Sequence, residues 1–457
     1  MSRKHFGTDG VRGVANQKLT PELAMQLGQA AGRWLLQSDQ PKRAVIGRDT
    51  RRSGTMLTSA LAAGLNSVGV DCVDLGVAPT PAIAFVARTG DYGVGVIISA
   101  SHNPAPDNGI KFVGHDGRKL SDEVELGIEA LMDSAEGRPV GAGVGTLYED
   151  RSELAGYLDV LISAVPERLD GMSVALDCAH GAGYELGPEA LRRLGAVVTV
   201  IGDQPDGMNI NAEGGATKPE TVQKLTKSSA ASVGVAFDGD ADRAIFSDEL
   251  GRLINGDRTI GIWAAHYQRQ GQLDPPVVVG TVMSNGGFEA YMTRLGITLE
   301  RAPVGDKYVA QRISDTRAKI GGEQSGHIIF PAKGPTGDGL MTMMELLRVL
   351  KREGRPASSF YDEYEPWPQL MVNVHVSSTQ DWAQKIAEEL EAGEREIEGH
   401  GRVVVRPSGT QPVIRVMVEA DNYELRDRVA DSLVRALEEK LGGEVHGRVD
   451  LTYALGD

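Results

Sequence analysis

A chain of 457 residues is about three times the ~150 typical of one domain, so it must fold as several units, three or four. With 47 Lys plus Arg against 63 Asp plus Glu, its formal charge of −16 argues against a general binder of nucleic acid or anionic membranes, and no apolar run approaches the ~18 residues of a membrane span. The 57 glycines stand well above the ~7% average usage and point to many tight turns or close backbone approaches. The opening residues, Met1-Ser2-Arg3-Lys4-His5-Phe6-Gly7, carry charges without a following apolar stretch, so no secretory signal is expected.

Three stretches then repeat one pattern. In the first, a strand over 44–47 leads to a helix over 57–68 and a strand over 69–75; in the second the corresponding ranges are 173–177, 187–194 and 195–200. The third runs 276–280, 286–295 and 296–300. Each combines a β-branched run, a glycine-bearing loop, an amphipathic helix closed by glycine and another strand, which is how a βαβ crossover reads. Three related α/β units are predicted, with boundaries near 148–154 and 251–257. Beyond Pro366-Trp367-Pro368 the pattern changes to a strand over 371–376, a helix over 381–391, a hairpin of 403–405 with 414–418, and a charged helix over 424–441. That predicts a small α+β domain. The expected domains are therefore 1–152, 153–253, 254–367 and 368–457. Cys72 and Cys178 lie in apolar, strand-like runs and read as buried, reduced thiols of a cytoplasmic protein.

Four segments carry chemistry. A buried strand over 93–98 runs into Ser99-Ala100-Ser101-His102-Asn103-Pro104, where a hydroxyl beside an imidazole at a strand's carboxyl end is a nucleophile candidate; the plainer alternative is a turn serine bonding its own backbone. Asp238-Gly239-Asp240-Ala241-Asp242-Arg243 follows another apolar run and offers three hard oxygen ligands at alternate positions. A calcium loop of the EF-hand type competes, with Glu249 at its twelfth position, and would suit a non-enzymatic binding protein. However, its sixth position needs glycine and holds Arg243, and the flanks read as strands. Gly321-Gly322-Glu323-Gln324-Ser325-Gly326-His327 joins acceptor, amide, hydroxyl and imidazole groups suited to a polyol. Arg406-Pro407-Ser408-Gly409-Thr410-Gln411-Pro412, with Arg415, suits a phosphate dianion. A nucleophile, a metal loop, a polyol loop and a phosphate clamp together suggest phosphoryl transfer on a phosphorylated sugar.

At these residues the chain resembles the alpha-D-phosphohexomutase family over essentially its whole length. The resemblance is carried by Phe6-Gly7-Thr8-Asp9-Gly10-Val11-Arg12-Gly13, the 99–104 turn, Asn108-Gly109-Ile110-Lys111-Phe112, the carboxylate loop, and residues 322–327 and 406–412. It implies three α/β domains with mixed sheets and a smaller, mobile C-terminal α+β domain around a central cleft. Ser101 would carry a phosphoryl group, and one Mg²⁺ would be held by Asp238, Asp240, Asp242 and an oxygen of phosphorylated Ser101. The implied reaction interconverts glucosamine 6-phosphate and glucosamine 1-phosphate through a 1,6-bisphosphate, which also serves as activator. Mannose or glucose phosphates would share this chemistry, and a phosphosugar hydrolase would replace the sugar by water; Glu323-Gln324-Ser325 favours the amino sugar.

By the same resemblance Arg12 and Arg243 would support the phosphoserine, while His102 and Lys111 would stabilise charge or move the hydroxyl proton, with His327 as rival. Glu323 and Ser325 would hold ring hydroxyls, Lys307 would reach the substrate, and Arg406, Ser408, Gly409, Thr410 and Arg415 would clamp the idle phosphate. Gln411, Lys218 and His180 depart from the family pattern and bear on fine points of substrate contact. The expected partner is a phosphorylated hexosamine destined for amino-sugar nucleotides and cell-wall polymers. Nucleic acid and membrane are excluded, and a homodimer is compatible with this reading.

Overall fold

In each of the three repeats, β-branched strands alternate with helices short enough to return the chain to the same sheet. The computed structural model describes residues 4–7, 9–134, 137–408 and 412–455. In it Arg43–Arg48 pairs in parallel with Asp71–Val77, Ser173–Asp177 with Val197–Ile201, and Val277–Thr281 with Thr298–Ala302. All three predicted crossovers are present, joined by the helices Gly54–Ser67, Leu186–Arg193 and Gly286–Arg294.

The repeat extends further than the sequence pattern indicated. On its other side each first strand has a parallel neighbour: Val94–Ile98, Val233–Phe237 and Gly321–Gly322. Each of those turns into an antiparallel strand: Asp107–Gly114, Ala244–Asp248 and Ile328–Ile329. The same four-strand unit is thus built three times, with two edge strands added in the first unit, one in the second and none in the third, giving sheets of six, five and four strands. Apolar side chains from all three units, including Val45, Tyr157, Phe237, Ile260 and Met344, form one continuous core. That shared burial ties the three units together.

The C-terminal sheet, ordered Gly401–Pro407, Val413–Ala420, Gln369–His375 and Glu444–Asp450, packs Tyr423–Leu441 onto a core of its own. Its predicted hairpin and long helix are present. The predicted helix over 381–391 is instead broken into Trp382–Lys385 and Ala387–Ile397, because Ile386 leaves helical geometry to bury its side chain fully. The last strand escaped prediction because its outer-edge residues are polar and exposed, with no apolar alternation. The C-terminal sheet meets the third unit through a small apolar cluster of Met283, Met371, Met417 and Leu451 and a set of hydrogen bonds. Glu419 Oε1 accepts from Gly286 N and Arg402 Nε, both at 2.9 Å, Arg402 also donates to Ser284 O at 2.6 Å, and Asn285 Oδ1 accepts from Trp367 N at 2.8 Å.

Candidate active site

The chemistry-bearing segments occupy one equivalent place in the repeat. Residues 99–106 connect Val94–Ile98 to Asp107–Gly114, residues 238–243 connect Val233–Phe237 to Ala244–Asp248, and residues 323–327 connect Gly321–Gly322 to Ile328–Ile329. In every unit this is the turn from the parallel to the antiparallel strand, at the carboxyl end of a parallel strand, where open α/β sheets leave a crevice. Three such turns, facing one another, build the site.

The serine turn is held from behind. Ser101 adopts a left-handed backbone, φ 51°, which costs a non-glycine residue about 1–3 kcal/mol and persists only when its surroundings over-determine it. Arg51 supplies much of that constraint: it donates to Ser101 O at 2.8 Å, Asn103 O at 2.7 Å, Asp107 O at 3.1 Å and, closely, to Pro104 O. Asp49 pairs with Arg51 at 2.8 Å and accepts from Ser99 Oγ at 2.6 Å, and Ser99 Oγ in turn accepts from Ser101 N. From the second unit Asn211 Nδ2 reaches Ser101 O at 2.9 Å.

This scaffold presents Ser101 Oγ to the carboxylate loop, donating to Asp238 Oδ2 at 2.6 Å, with His102 Nδ1 at 3.3 Å. Ligand atoms of Asp238, Asp240 and Asp242 lie within 4.8 Å of one another, and all three residues are buried. Burial, reinforced by the two neighbouring carboxylates, pushes Asp238 well above the usual carboxylate range. Asp240 Oδ1 and Asp242 Oδ1 are buried and accept no hydrogen bond. Crowded anionic oxygens of this kind fit a divalent cation. Asp240 is fixed across the domain boundary by Thr80, whose Oγ1 donates to Oδ2 at 2.7 Å and whose N donates to Asp240 O at 2.9 Å.

In front of these groups lies a cavity of about 240 Å³, lined by Ser101 and Asp242 together with Arg12, Lys111, Arg243, Lys307, Glu323, Ser325 and His327. Burial opposes the charge on Lys111, but Asp9 at 3.1 Å and Asp240 at 3.5 Å outweigh it and raise its pKa, so the ammonium is firmly cationic. Burial alone would raise Asp9; Lys111, Arg12 and Lys119 hold it well below the usual range instead. Burial likewise disfavours protonation of His327, yet Asp242, with its Oδ2 3.5 Å from Nδ1, raises it to about 9. Lys307 reaches toward Asp122 of the first unit at 3.5 Å, and Glu323 Oε1 accepts from Gly305 N at 3.0 Å. Cations on one side and sugar-type hydrogen-bonding groups on the other suit a phosphorylated polyol.

The predicted residues Arg12, Ser101, Lys111, Asp242, Arg243, Lys307, Glu323, Ser325 and His327 therefore meet at one cavity, with Asp238 and Asp240 directly behind. His102 touches the nucleophile without lining the cavity, and neither do Arg406, Ser408 or Arg415 of the fourth sheet. Gly409, Thr410 and Gln411 lie outside the described residues. Gln324 turns away from the cavity: it is buried and donates to Asp257 Oδ2 at 2.8 Å, so its amide anchors the loop rather than meeting a sugar. Lys218 and His180 also stand apart. Lys218 Nζ donates to Asn211 O at 3.1 Å, and His180 O accepts from Thr50 Oγ1 at 2.5 Å, so both act behind the serine turn. Arg51, Asp49, Thr80 and Asn211 drew no notice in the sequence, where only contacts across fifty or more positions would reveal them.

The fold and site define a phosphosugar enzyme architecture, and the chain belongs to the phosphoglucomutase/phosphomannomutase family. The alpha/beta/alpha domains I, II and III of that family match residues 3–138, 155–251 and 255–367, and its C-terminal domain matches residues 371–436. Within the family, the chain is 47% identical over 440 residues to the phosphoglucosamine mutase of Desulforudis audaxviator, covering 95% of this chain and 98% of that one. It is 45% identical over 442 residues to that of Beijerinckia indica, covering 96% and 98%. A solved phosphoglucomutase/phosphomannomutase family protein from Burkholderia thailandensis shares the fold with a TM-score of 0.82 at 24% identity, over 96% of this chain and 98% of that one. The N-acetylphosphoglucosamine mutase of Aspergillus fumigatus, solved with GlcNAc-6P and magnesium, aligns with a TM-score of 0.65 at 19% identity, over 95% and 96%.

Proposed function

We propose that the chain catalyses the phosphoglucosamine mutase reaction, interconverting glucosamine 6-phosphate and glucosamine 1-phosphate. The observation that carries the chemistry is the 2.6 Å contact between Ser101 Oγ and Asp238 across two domains. The near full-length identity to enzymes of that name carries the choice of sugar. Phosphorylated Ser101 donates its phosphoryl group to O1 of glucosamine 6-phosphate: the Oγ–P bond breaks, an O1–P bond forms, and the O1 proton ends on Oγ. The resulting 1,6-bisphosphate turns over in the cleft and returns its 6-phosphoryl to Ser101, leaving glucosamine 1-phosphate. Bound at Asp238, Asp240 and Asp242, Mg²⁺ supplies charge neutralisation at the group in transit.

The 3.3 Å approach of His102 Nδ1 supports it as the proton carrier, whereas the firmly cationic Lys111 suits charge stabilisation beside Arg12 and Arg243. His327, held cationic by Asp242, suits the same electrostatic task. Glu323, Ser325 and Lys307 bind the sugar. Arg406, Ser408, Gly409, Thr410 and Arg415 clamp the distal phosphate, a role supported by Arg406 and Arg415 facing each other as cross-strand partners. Burial, then Arg415, lowers the pKa of Arg406, a pairing that an anion would relieve. The domains divide at about 152, 253 and 367, and the enzyme works in the cytoplasm, in keeping with its two free thiols.

The test is kcat/KM with Mg²⁺ for glucosamine, mannose and glucose 6-phosphates, each primed with its 1,6-bisphosphate. A clear preference for the amino sugar is expected, and preference for a neutral hexose would discard the assignment while keeping the mechanism. Gly239 allows a second prediction. A Cβ there would meet Ser101 O at 2.5 Å and Asn211 Nδ2 at 2.8 Å, so Gly239→Ala must push the metal loop off the nucleophile turn. We expect a loss of ~10²-fold in kcat/KM, together with a higher Mg²⁺ requirement; an unaltered Mg²⁺ activation curve would count against the loop contact.

A further inference from the structure

The helix Asp306–Thr316 meets the catalytic cavity at its N-terminal end, and along its C-terminal half lies a groove of about 560 Å³, shared between the first and third units. Arg88, Arg118, Arg317 and Lys319 line it, against one carboxylate, Asp116. They come from three separate segments: the helix Thr80–Thr89, the turn after Asp107–Gly114, and the chain following Asp306–Thr316. A local excess of three positive charges is out of keeping with a chain of net charge −16. The cations are also poorly satisfied. Arg118 and Asp116 are 3.8 Å apart and both half-exposed, Arg88 donates to Lys333 O at 3.2 Å, and neither Arg317 nor Lys319 has a hydrogen-bond or ion-pair partner among the described residues.

The floor of the groove is apolar. Ile313 and Ile329 belong to a small hydrophobic cluster, and Pro331 and Pro335 form one wall. Converging like charges over low-dielectric walls focus the field on whatever enters, and flat apolar surface beside a cationic rim suits a planar ring joined to phosphates. No lining residue is shared with the catalytic cavity. We propose that this groove is a second site, binding a nucleoside polyphosphate with its phosphates on the arginines and Lys319 and its base against Pro331 and Pro335. The helix joins the two places: Asp306 and Lys307 face the catalytic cavity, and Ala310 and Ile313 face the groove.

Isothermal titration of the Mg²⁺-loaded enzyme with ADP, pyrophosphate and adenosine tests this. ADP is expected to bind with a sub-millimolar Kd, pyrophosphate more weakly and adenosine not at all, and saturating glucosamine 6-phosphate should leave ADP bound. The double substitution Arg317→Glu, Lys319→Glu, at two exposed positions, should weaken ADP by about tenfold or more while basal mutase turnover stays unchanged. Arg88→Glu should repeat the loss from the other side of the groove. Displacement of ADP by the sugar phosphate, undiminished binding in both variants, or no binding at all would overturn the site. Pyrophosphate binding as tightly as ADP would overturn its nucleoside specificity.

Discussion

Ser101→Ala is expected to lower mutase turnover by several orders of magnitude, because the phosphoryl group then has no carrier. The nearest other hydroxyl cannot take over. Ser99 Oγ is buried, donates to Asp49 at 2.6 Å and accepts from Ser101 N at 2.9 Å, so it is committed to shaping the turn. The backbone contacts that hold residues 101–104 come from Arg51 and Asn211 and do not involve the lost oxygen, so the variant should fold. Intact-mass measurement after incubation with the 1,6-bisphosphate should find a phosphorylated wild-type protein and an unphosphorylated variant. Near-normal turnover by the alanine protein would end the phosphoserine mechanism.

The second large effect is expected at Arg51, which does not line the catalytic cavity. Its side chain and that of Asp49 are fully buried together, and Asp49 is already pushed above its normal pKa by burial, with Arg51 opposing the shift. Arg51→Met would strand that carboxylate and should destabilise the protein by about 3–5 kcal/mol, the usual cost of breaking a buried pair from one side. Arg51→Lys separates stability from positioning. It keeps the charge, but an ammonium cannot reach four carbonyls arranged around a guanidinium. The lysine variant should therefore melt close to wild type yet lose ~10²-fold in kcat, with KM nearly unchanged. A lysine variant with wild-type kcat would show that the left-handed serine turn holds itself.

Legibility in the sequence followed the range of the interactions. The three βαβ crossovers were readable because strand, glycine-capped helix and strand are each specified within about thirty residues. The chemical turns were readable because each concentrates its functional groups in five or six positions. The equivalence of those turns was not, since Gly321–Gly322 and Ile328–Ile329 are only two residues each and carry no periodicity of their own. The clamping of the serine turn was equally hidden: Asn211 and Ser101 are 110 positions apart, and an arginine fifty positions upstream looks like any surface arginine. Gln324 shows the converse error. A polar residue in a ligand loop invited a substrate role, whereas its neighbours direct it inward to Asp257.

The joint of the C-terminal sheet sets Arg415 at a distance from the contact that fixes its strand. Glu419 is pinned to the third unit at one end of Val413–Ala420, and Arg415 sits four residues along the same strand, about 13 Å at ~3.3 Å per residue. A tilt of about 10° at that end would sweep Arg415 through about 2 Å. A displacement of that size would be enough to make or break a hydrogen bond of the Arg415 guanidinium. The joint lies beside Asn285, whose N donates to the same Asp257 oxygen that receives Gln324. The joint of the C-terminal sheet and the anchor of the 323–327 turn are thus one carboxylate apart, so a shift in either would be felt at the other.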